Sequence, residues 1–283
     1  MGGIDLIGQI IVTVPQAKQL IAQAILQLPE VKRALEQGKV VLKAGTTVSA
    51  LAEILGVPPM RLGGRIVPDG ARGPRKMVDA PHIAVVEQGK WHKADTTLPE
   101  EIMKMGPSDV FITGANALDC HGIAGLLAGV EGGSVAGKSL TALWTEGIPL
   151  VIAVGMEKLI SGSIIEISQQ IGRKRVDKAM GMAVGMIPLM GHVVTEKEAL
   201  EILTGVKSTV IAAGGINGAE GATMLQIEGE RKQIENVFNL ISAFKYAPTC
   251  GNSESRKSCE VGGPMCHVHV NCLYKQQLTT ENK

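Results

Sequence analysis

Asn116, Asp119, Cys120 and His121 crowd together just after an apolar, β-rich run that starts at Val110, and Glu131 and Lys138 follow in or beside a glycine-rich connection. A carboxylate, an imidazole and an ammonium gathered at one strand end could transfer protons or support a covalent intermediate. Asp119, Glu131 and Lys138 are the candidate catalytic residues of this stretch. Gly129, Gly132, Gly133 and Gly137 imply close approach of the backbone to a ligand or to another segment. Asn116 and Asp119 also suit a simpler role, shaping a tight turn through local backbone hydrogen bonds. Cys120 has no pairing partner except the adjacent His121, which favours packing over nucleophilic attack.

A second polar turn, Gly45-Thr46-Thr47-Val48-Ser49, offers N–H groups and hydroxyls at a helix start, a combination that suits phosphate or carboxylate. Capping of the helix by Thr46 or Thr47 explains the same residues. Arg61, Arg65, Arg72, Arg75 and Lys76 would suit an anion through guanidinium forks, or form a solvated basic loop. Near the end of the chain Cys250, Cys259, Cys266 and Cys272 are joined by His267 and His269. These four cysteines are candidate ligands for zinc or an iron–sulfur cluster. Their spacing contains no Cys-x2-Cys pair, so disulfide pairing and packed thiols stay open, as does a strand over Cys266–His269.

The elements that must position these groups follow from periodicity and punctuation. Thr13 caps a helix striped by Leu20, Ile21, Ala24, Ile25 and Leu28, and Pro29 starts a second that Gly38 ends. Val40–Ala44 reads as a buried strand followed by the 45–49 loop and a helix over 50–55. Residues 57–80 suggest an irregular loop or two short strands, and 83–94 a hairpin around Gln88-Gly89. The run from Val110, the glycine-rich segment, a helix and a strand over 149–155 form a strand-loop-helix-strand unit, with its polar residues where parallel sheets place ligands. A helix over 160–171 and a basic turn over 173–178 follow. The pattern then changes to β-α-β-β-α. The expected fold is α/β: a Rossmann-like, mostly parallel sheet flanked by helices over 1–183, a small α+β subdomain over 184–246, and a Cys/His-rich tail over 247–283.

Composition narrows the function classes. With 45% hydrophobic and 19% charged residues the chain can bury a large core. A net charge of +1 and only 2% aromatic residues supply neither a basic field nor stacking platforms, which argues against nucleic-acid partners. No apolar run reaches membrane-span length, and the start Met1-Gly-Gly-Ile-Asp lacks a signal peptide's basic region, so the expectation is a cytoplasmic protein without membrane partners. Leu6 stands where a myristoylation motif wants Ser or Thr. The size is compatible with a homo-oligomer.

Val41-Leu-Lys-Ala-Gly-Thr-Thr-Val, Ile112-Thr-Gly-Ala-Asn-Ala-Leu-Asp119, the glycine-rich segment to Lys138, and Ile148-Pro-Leu-Val-Ile-Ala-Val-Gly-Met-Glu-Lys158 occur in the same order as in ribose-5-phosphate isomerase-like proteins. The set resembles the superfamily that joins these isomerases to CoA transferases, glucosamine-phosphate deaminases and initiation factor 2B-like proteins. The resemblance covers roughly residues 40 to 160. It implies a ligand at the loops after Ala44 and Gly114, with Gly45, Thr46 and Thr47 matching the sugar-phosphate loop and Gly114, Ala115 and Asn116 the isomerase turn. Gly132 and Gly133 complete the candidate binding set. Thr113 and Asn116 replace acidic residues of the isomerases, and Asn cannot act as a carboxylate base. Glu131, in its Glu-Gly-Gly context, is the remaining candidate for CoA transfer. The leading expectation is a protein that binds, and converts by isomerase- or transferase-type chemistry, a small anionic metabolite such as a sugar phosphate or CoA ester. The alternatives are a non-catalytic ligand sensor and a metal or redox module built on the tail.

Overall fold

The computed structural model describes residues 6–260, 263 and 265–275; the start Met1–Asp5 and the last residues of the tail, read above from sequence, lie outside the described residues. β1 (Leu6–Val12) runs through Thr13 into α1 (Val14–Ile25), whose first turn is closed by the Gln16 side chain accepting from the Thr13 N–H at 2.9 Å. Pro29 opens α2 (Pro29–Gln37), and β2 (Lys39–Lys43) leads directly into α3 (Thr46–Ile54). Two hairpins follow, β3 (Arg65–Val67) with β4 (Gly70–Arg72), and β5 (Ile83–Glu87) with β6 (Lys90–Lys93). The second turns on Gln88 and Gly89, both at positive φ, which suits a two-residue connection between twisted strands.

After α4 (Leu98–Ile102) come β7 (Val110–Gly114), β8 (Ala117–Leu118), β9 (Ala124–Ala128), α5 (Ser134–Thr145) and β10 (Leu150–Ala153). The chain then forms α6 (Ile164–Gln170), β11 (Gly185–Leu189), β12 (His192–Val194), α7 (Glu196–Thr204), β13 (Lys207–Gly214), β14 (Ala222–Gly229) and α8 (Arg231–Ala243). Two sequence readings shift. The Thr46–Ser49 segment, read as loop, is already helical, with Gly45 as N-cap. The helix expected from 160 starts at Ile164, because Ser163 caps it by accepting from the Glu166 N–H.

Six strands form a mixed sheet in the order β12-β10-β7-β2-β5-β6. The first four run parallel, β5 is antiparallel to them, and β6, antiparallel to β5, runs with them again. Alternation along each strand feeds two cores. Val40, Leu42, Ile112 and Val151 face α1, α3 and α7, whereas Val41, Phe111, Leu150 and Ile152 face α4 and α5. Each fully buried side chain of this kind contributes about 1.5–3 kcal/mol. This makes the sheet a firm platform for whatever its strand ends carry.

The 184–246 stretch, expected as a subdomain, is shared between sheets. β12 is the edge of the central sheet, and the antiparallel β13–β14 pair takes β1 as its third strand. A third sheet, β11-β9-β8, packs Leu118, Ala124 and Leu189 into the second core. No described helix is long and apolar enough to cross a membrane.

Candidate functional site at the carboxyl edge of the central sheet

Strand order reverses between β2 and β7. The chain leaves β2 through α3 toward one face and leaves β7, by way of β8 and β9, through α5 toward the other, so the carboxyl ends of these two strands border a crevice. Their turns meet there: a Cβ on Gly45 would lie only 4.0 Å from the Gly114 Cα. Thr46 and Thr47 occupy the first turn of α3 without capping it, and Thr47 is buried. Their N–H groups belong to a helix start that has no internal acceptors.

Buried charges surround the crevice. Lys158, in the 3-10 turn after β10, donates to the Ala115 carbonyl at 2.9 Å and lies 3.8 Å from Glu157. Burial lowers its pKa, and the carboxylates of Glu157 and Glu196 pull it partly back. Glu196, only 1% exposed, accepts from the Thr223 hydroxyl at 2.5 Å and from the Met156 N–H at 2.9 Å. Burial raises its pKa against these hydrogen bonds, and the Glu157 charge raises it further. Lys18 on α1 has its pKa lowered by burial, with Glu157 opposing. A carboxyl pushed up and an ammonium pushed down are the signature of groups able to exchange protons near neutral pH.

At the carboxyl end of β2, beside β5, burial alone lowers Lys43 to about 8. Its neighbour His82 is held near 4, by burial first and then by the Lys43 charge, and its Nδ1 lies 2.9 Å from the Arg61 carbonyl oxygen. Asp95 fixes this corner by accepting from the N–H groups of His82 and Ile83 and from Arg61 at 2.6 Å.

The residues expected from sequence divide between three places. Gly45, Thr46, Thr47, Gly114, Ala115 and Asn116 come together at the crevice. The Asn116 side-chain oxygen accepts from the Leu127 N–H at 3.0 Å, which ties the turn to β9. Asp119 is buried at the far end of the β8–β9 hairpin and accepts from the backbone N–H groups of His121, Ile123 and Ile164. Burial would raise its pKa, but these three donors outweigh it and hold the carboxyl below its ordinary value. Such a group organises a turn, as the simpler sequence reading had it. Glu131 and Lys138 are exposed beyond the other end of β9.

No family model, curated protein or solved structure matches this chain.

The glycine-rich segment is explained by its own chain. Gly132 and Gly133 have φ of 61° and 73°, and a Cβ on Gly137 would meet the Gly132 carbonyl oxygen at 2.8 Å. Glu131, Gly132 and Gly133 line an open surface concavity with Arg173, Lys174 and Arg175. The tail cysteines do not gather as a set of four. Cys250 is buried beneath α1, where Gln19 donates to its sulfur at 3.4 Å, and burial raises its thiol to about 11. Cys259, Cys266 and Cys272 instead line one small pocket with His269 and Arg72. All five cysteines are free, and among the described residues no three His, Cys, Asp or Glu side chains could hold a single metal ion.

Sequence reasoning missed Lys18, Lys43, Lys158 and Glu196. One signal was available for two of them: a lysine ends the otherwise apolar run Val40-Val-Leu-Lys43, and another follows the apolar strand before Gly155-Met-Glu-Lys158. A charge at the end of a buried strand has few places to go but a crevice.

Proposed function

We propose that this chain binds and converts a small anionic metabolite at the crevice between β2 and β7. The observation that carries this reading is the pair of desolvated lysines, Lys43 and Lys158, at the carboxyl edge where strand order reverses. Reading the central strands in chain order gives the Rossmann-like arrangement 3-2-1-4-5-6, with strand two alone inverted. This order supports the resemblance to the sugar-phosphate isomerase and CoA-transferase superfamily. The anionic group sits at the first turn of α3, against Gly45–Thr47, and the reacting part lies toward Lys158.

Chemistry of the isomerase type needs a base for a carbon-bound proton and a donor for the neighbouring oxygen. Lys43, with its pKa near 8, keeps part of its population neutral at physiological pH and is a competent base or amine nucleophile. Glu196, with its raised pKa, can hold a proton, and Lys158 offers positive charge to a developing oxyanion. The carboxylates suited to the site are therefore Glu157 and Glu196.

The test is a calorimetric and turnover screen with sugar phosphates and CoA esters. Binding should weaken in Thr47→Val and Asn116→Ala, and turnover should fall by about 10²–10⁴-fold in Lys43→Met and Lys158→Met. Equal affinity in the first pair, or undiminished turnover in the second, would overturn the assignment.

A further inference from the structure

Lys43 and Lys158 approach the Gly114–Asn116 turn from its two sides, because β2 and β10 are the neighbours of β7 in the central sheet. The two amines are held differently. Lys158 donates to the Ala115 carbonyl and lies 3.8 Å from Glu157, so its positive charge has an acceptor and a carboxylate beside it. Lys43 is half-buried at the end of an apolar strand, and among the described residues neither a hydrogen bond nor a carboxylate offsets its lost hydration. The ring of its neighbour His82 is engaged with the Arg61 carbonyl. The carboxylate of that corner, Asp95, is taken by Arg61 and by the N–H groups of His82 and Ile83.

An ammonium buried without acceptor or counter-ion is unfavourable, and a leucine would fill the same space without that penalty. Lys43 therefore serves the packing of the sheet poorly. What the position favours is the neutral amine, its lone pair free, at the lip of the crevice.

Alternation along β2 sets how a ligand must lie to reach it. Lys43 shares the face of Val41, packed against α4 and α5, whereas α3 covers the face of Val40 and Leu42. The amine and the first turn of α3 meet only across the strand end, where Ala44, Gly45 and Thr46 span at most about 10 Å. Gly45 puts no side chain in the way of that crossing. Inorganic phosphate is too small to touch both sides, but a short chain with a phosphate at one end and a reactive group at the other can do so.

We propose that Lys43 is a covalent catalytic residue whose amine forms an imine with the carbonyl of a phosphorylated aldose or ketose in its open-chain form. This rests on the crevice reading above and narrows it from anionic metabolites at large to phosphorylated aldehydes and ketones. The lone pair of the neutral amine adds to the carbonyl carbon while the carbon–oxygen π electrons move to the oxygen. A proton passes from the nitrogen to that oxygen, one further proton from solvent lets it leave as water, and the nitrogen lone pair closes the second carbon–nitrogen bond. No electron is gained or lost, and hydrolysis of the protonated imine returns the amine. Its positive nitrogen acidifies the hydrogens on the adjacent carbon, which isomerase-type chemistry requires.

The test incubates the full chain with erythrose or ribose carrying a terminal phosphate, together with cyanoborohydride, which reduces an imine to a stable secondary amine. Peptide mass spectrometry then locates the adduct. One adduct per chain is expected, on Lys43, formed at least about tenfold faster than on the exposed Lys90 and Lys104, since the desolvated amine is far more often neutral near physiological pH. Unphosphorylated erythrose should label Lys43 more slowly. Lys43→Arg, which keeps the charge but has no amine to condense, should lose the adduct, and circular dichroism verifies that it remains folded. Calorimetry with the same sugar phosphates and no reductant separates the two readings. Binding that weakens in Thr47→Val, with no adduct on Lys43, overturns the imine and leaves the crevice reading standing. An adduct on Lys158, or one spread evenly over surface lysines, also overturns the imine. Absence of both binding and adduct overturns it together with the crevice reading.

Discussion

At the carboxyl edge of the central sheet, half-buried Lys158 and buried Glu196 have protein partners already in place, whereas around the tail pocket buried Arg72 and half-buried Arg65 and Arg173 each carry at least one enclosed guanidinium nitrogen with no partner among the described residues. The two regions meet the cost of burying charge differently. At the sheet edge, shifted proton affinities and short hydrogen bonds absorb it, which leaves groups poised to exchange protons. Around the tail pocket it is absorbed only in part, by the Tyr274 ring, by the Cys259 and Val268 carbonyls, and by burial that lowers the Arg65 pKa.

The contrast can be broken most severely at Gly181. It sits at φ +83°, and a Cβ there would fall 2.0 Å from the Ala71 carbonyl oxygen, so Gly181→Ala should force the two apart beside the tail pocket and cost about 3 kcal/mol in denaturant unfolding. Ligand affinity at the crevice should be unchanged, and a parallel loss there would show that the two regions are coupled. Asp119 tests turn against catalyst. Asp119→Asn leaves one acceptor oxygen for three backbone donors and should cost about 2 kcal/mol, with turnover per folded molecule unaltered.

Lys43 sharpens the picture of the sheet edge through pH. Its folded value near 8 lies below the ordinary 10.5, so the unfolded chain binds more protons between these limits and native stability rises with pH across that window. Lys43→Met should remove the rise and, below pH 8, stabilise the protein by on the order of 2 kcal/mol in chemical denaturation. A wild-type profile that is flat from 8 to 10.5 would contradict the desolvated amine. The smallest expected effect is at Arg72. Arg72→Met should stabilise the chain by about 1 kcal/mol, because it deletes two buried donors without partners among the described residues. Thermal denaturation of the wild type and Arg72→Met side by side measures it.

Local chemistry was legible in the sequence and long-range placement was not. The Thr13 cap and the Gln88-Gly89 hairpin were readable because each is settled within a few residues. The turns Gly45–Thr47 and Gly114–Asn116 were readable as a pair through a resemblance, and the sheet brings them together. The burial of Lys158 and Glu196 was not, because α1, the turn after β10, α7 and β14 must all converge before either side chain loses water. The four-cysteine grouping failed for the same reason. Cys250 is close to Cys259 in sequence, but it is buried under α1, away from the pocket that the other three share.

The pairing of β1 with β14, from Leu6 against Gly229 to Val12 against Thr223, also bears on how the chain is made. β1 is synthesised long before its partner β14. The entropy of closing so large a loop grows only slowly with length, but such pairings delay folding. Until residues 222–229 emerge, Ile7, Ile10, Ile11 and Val12 are an apolar strand without a neighbour, open to pairing with another chain. Synthesis that stalls between β1 and β14 would therefore leave an aggregation-prone nascent product, and the emergence of β14 is the chain's own release from that hazard.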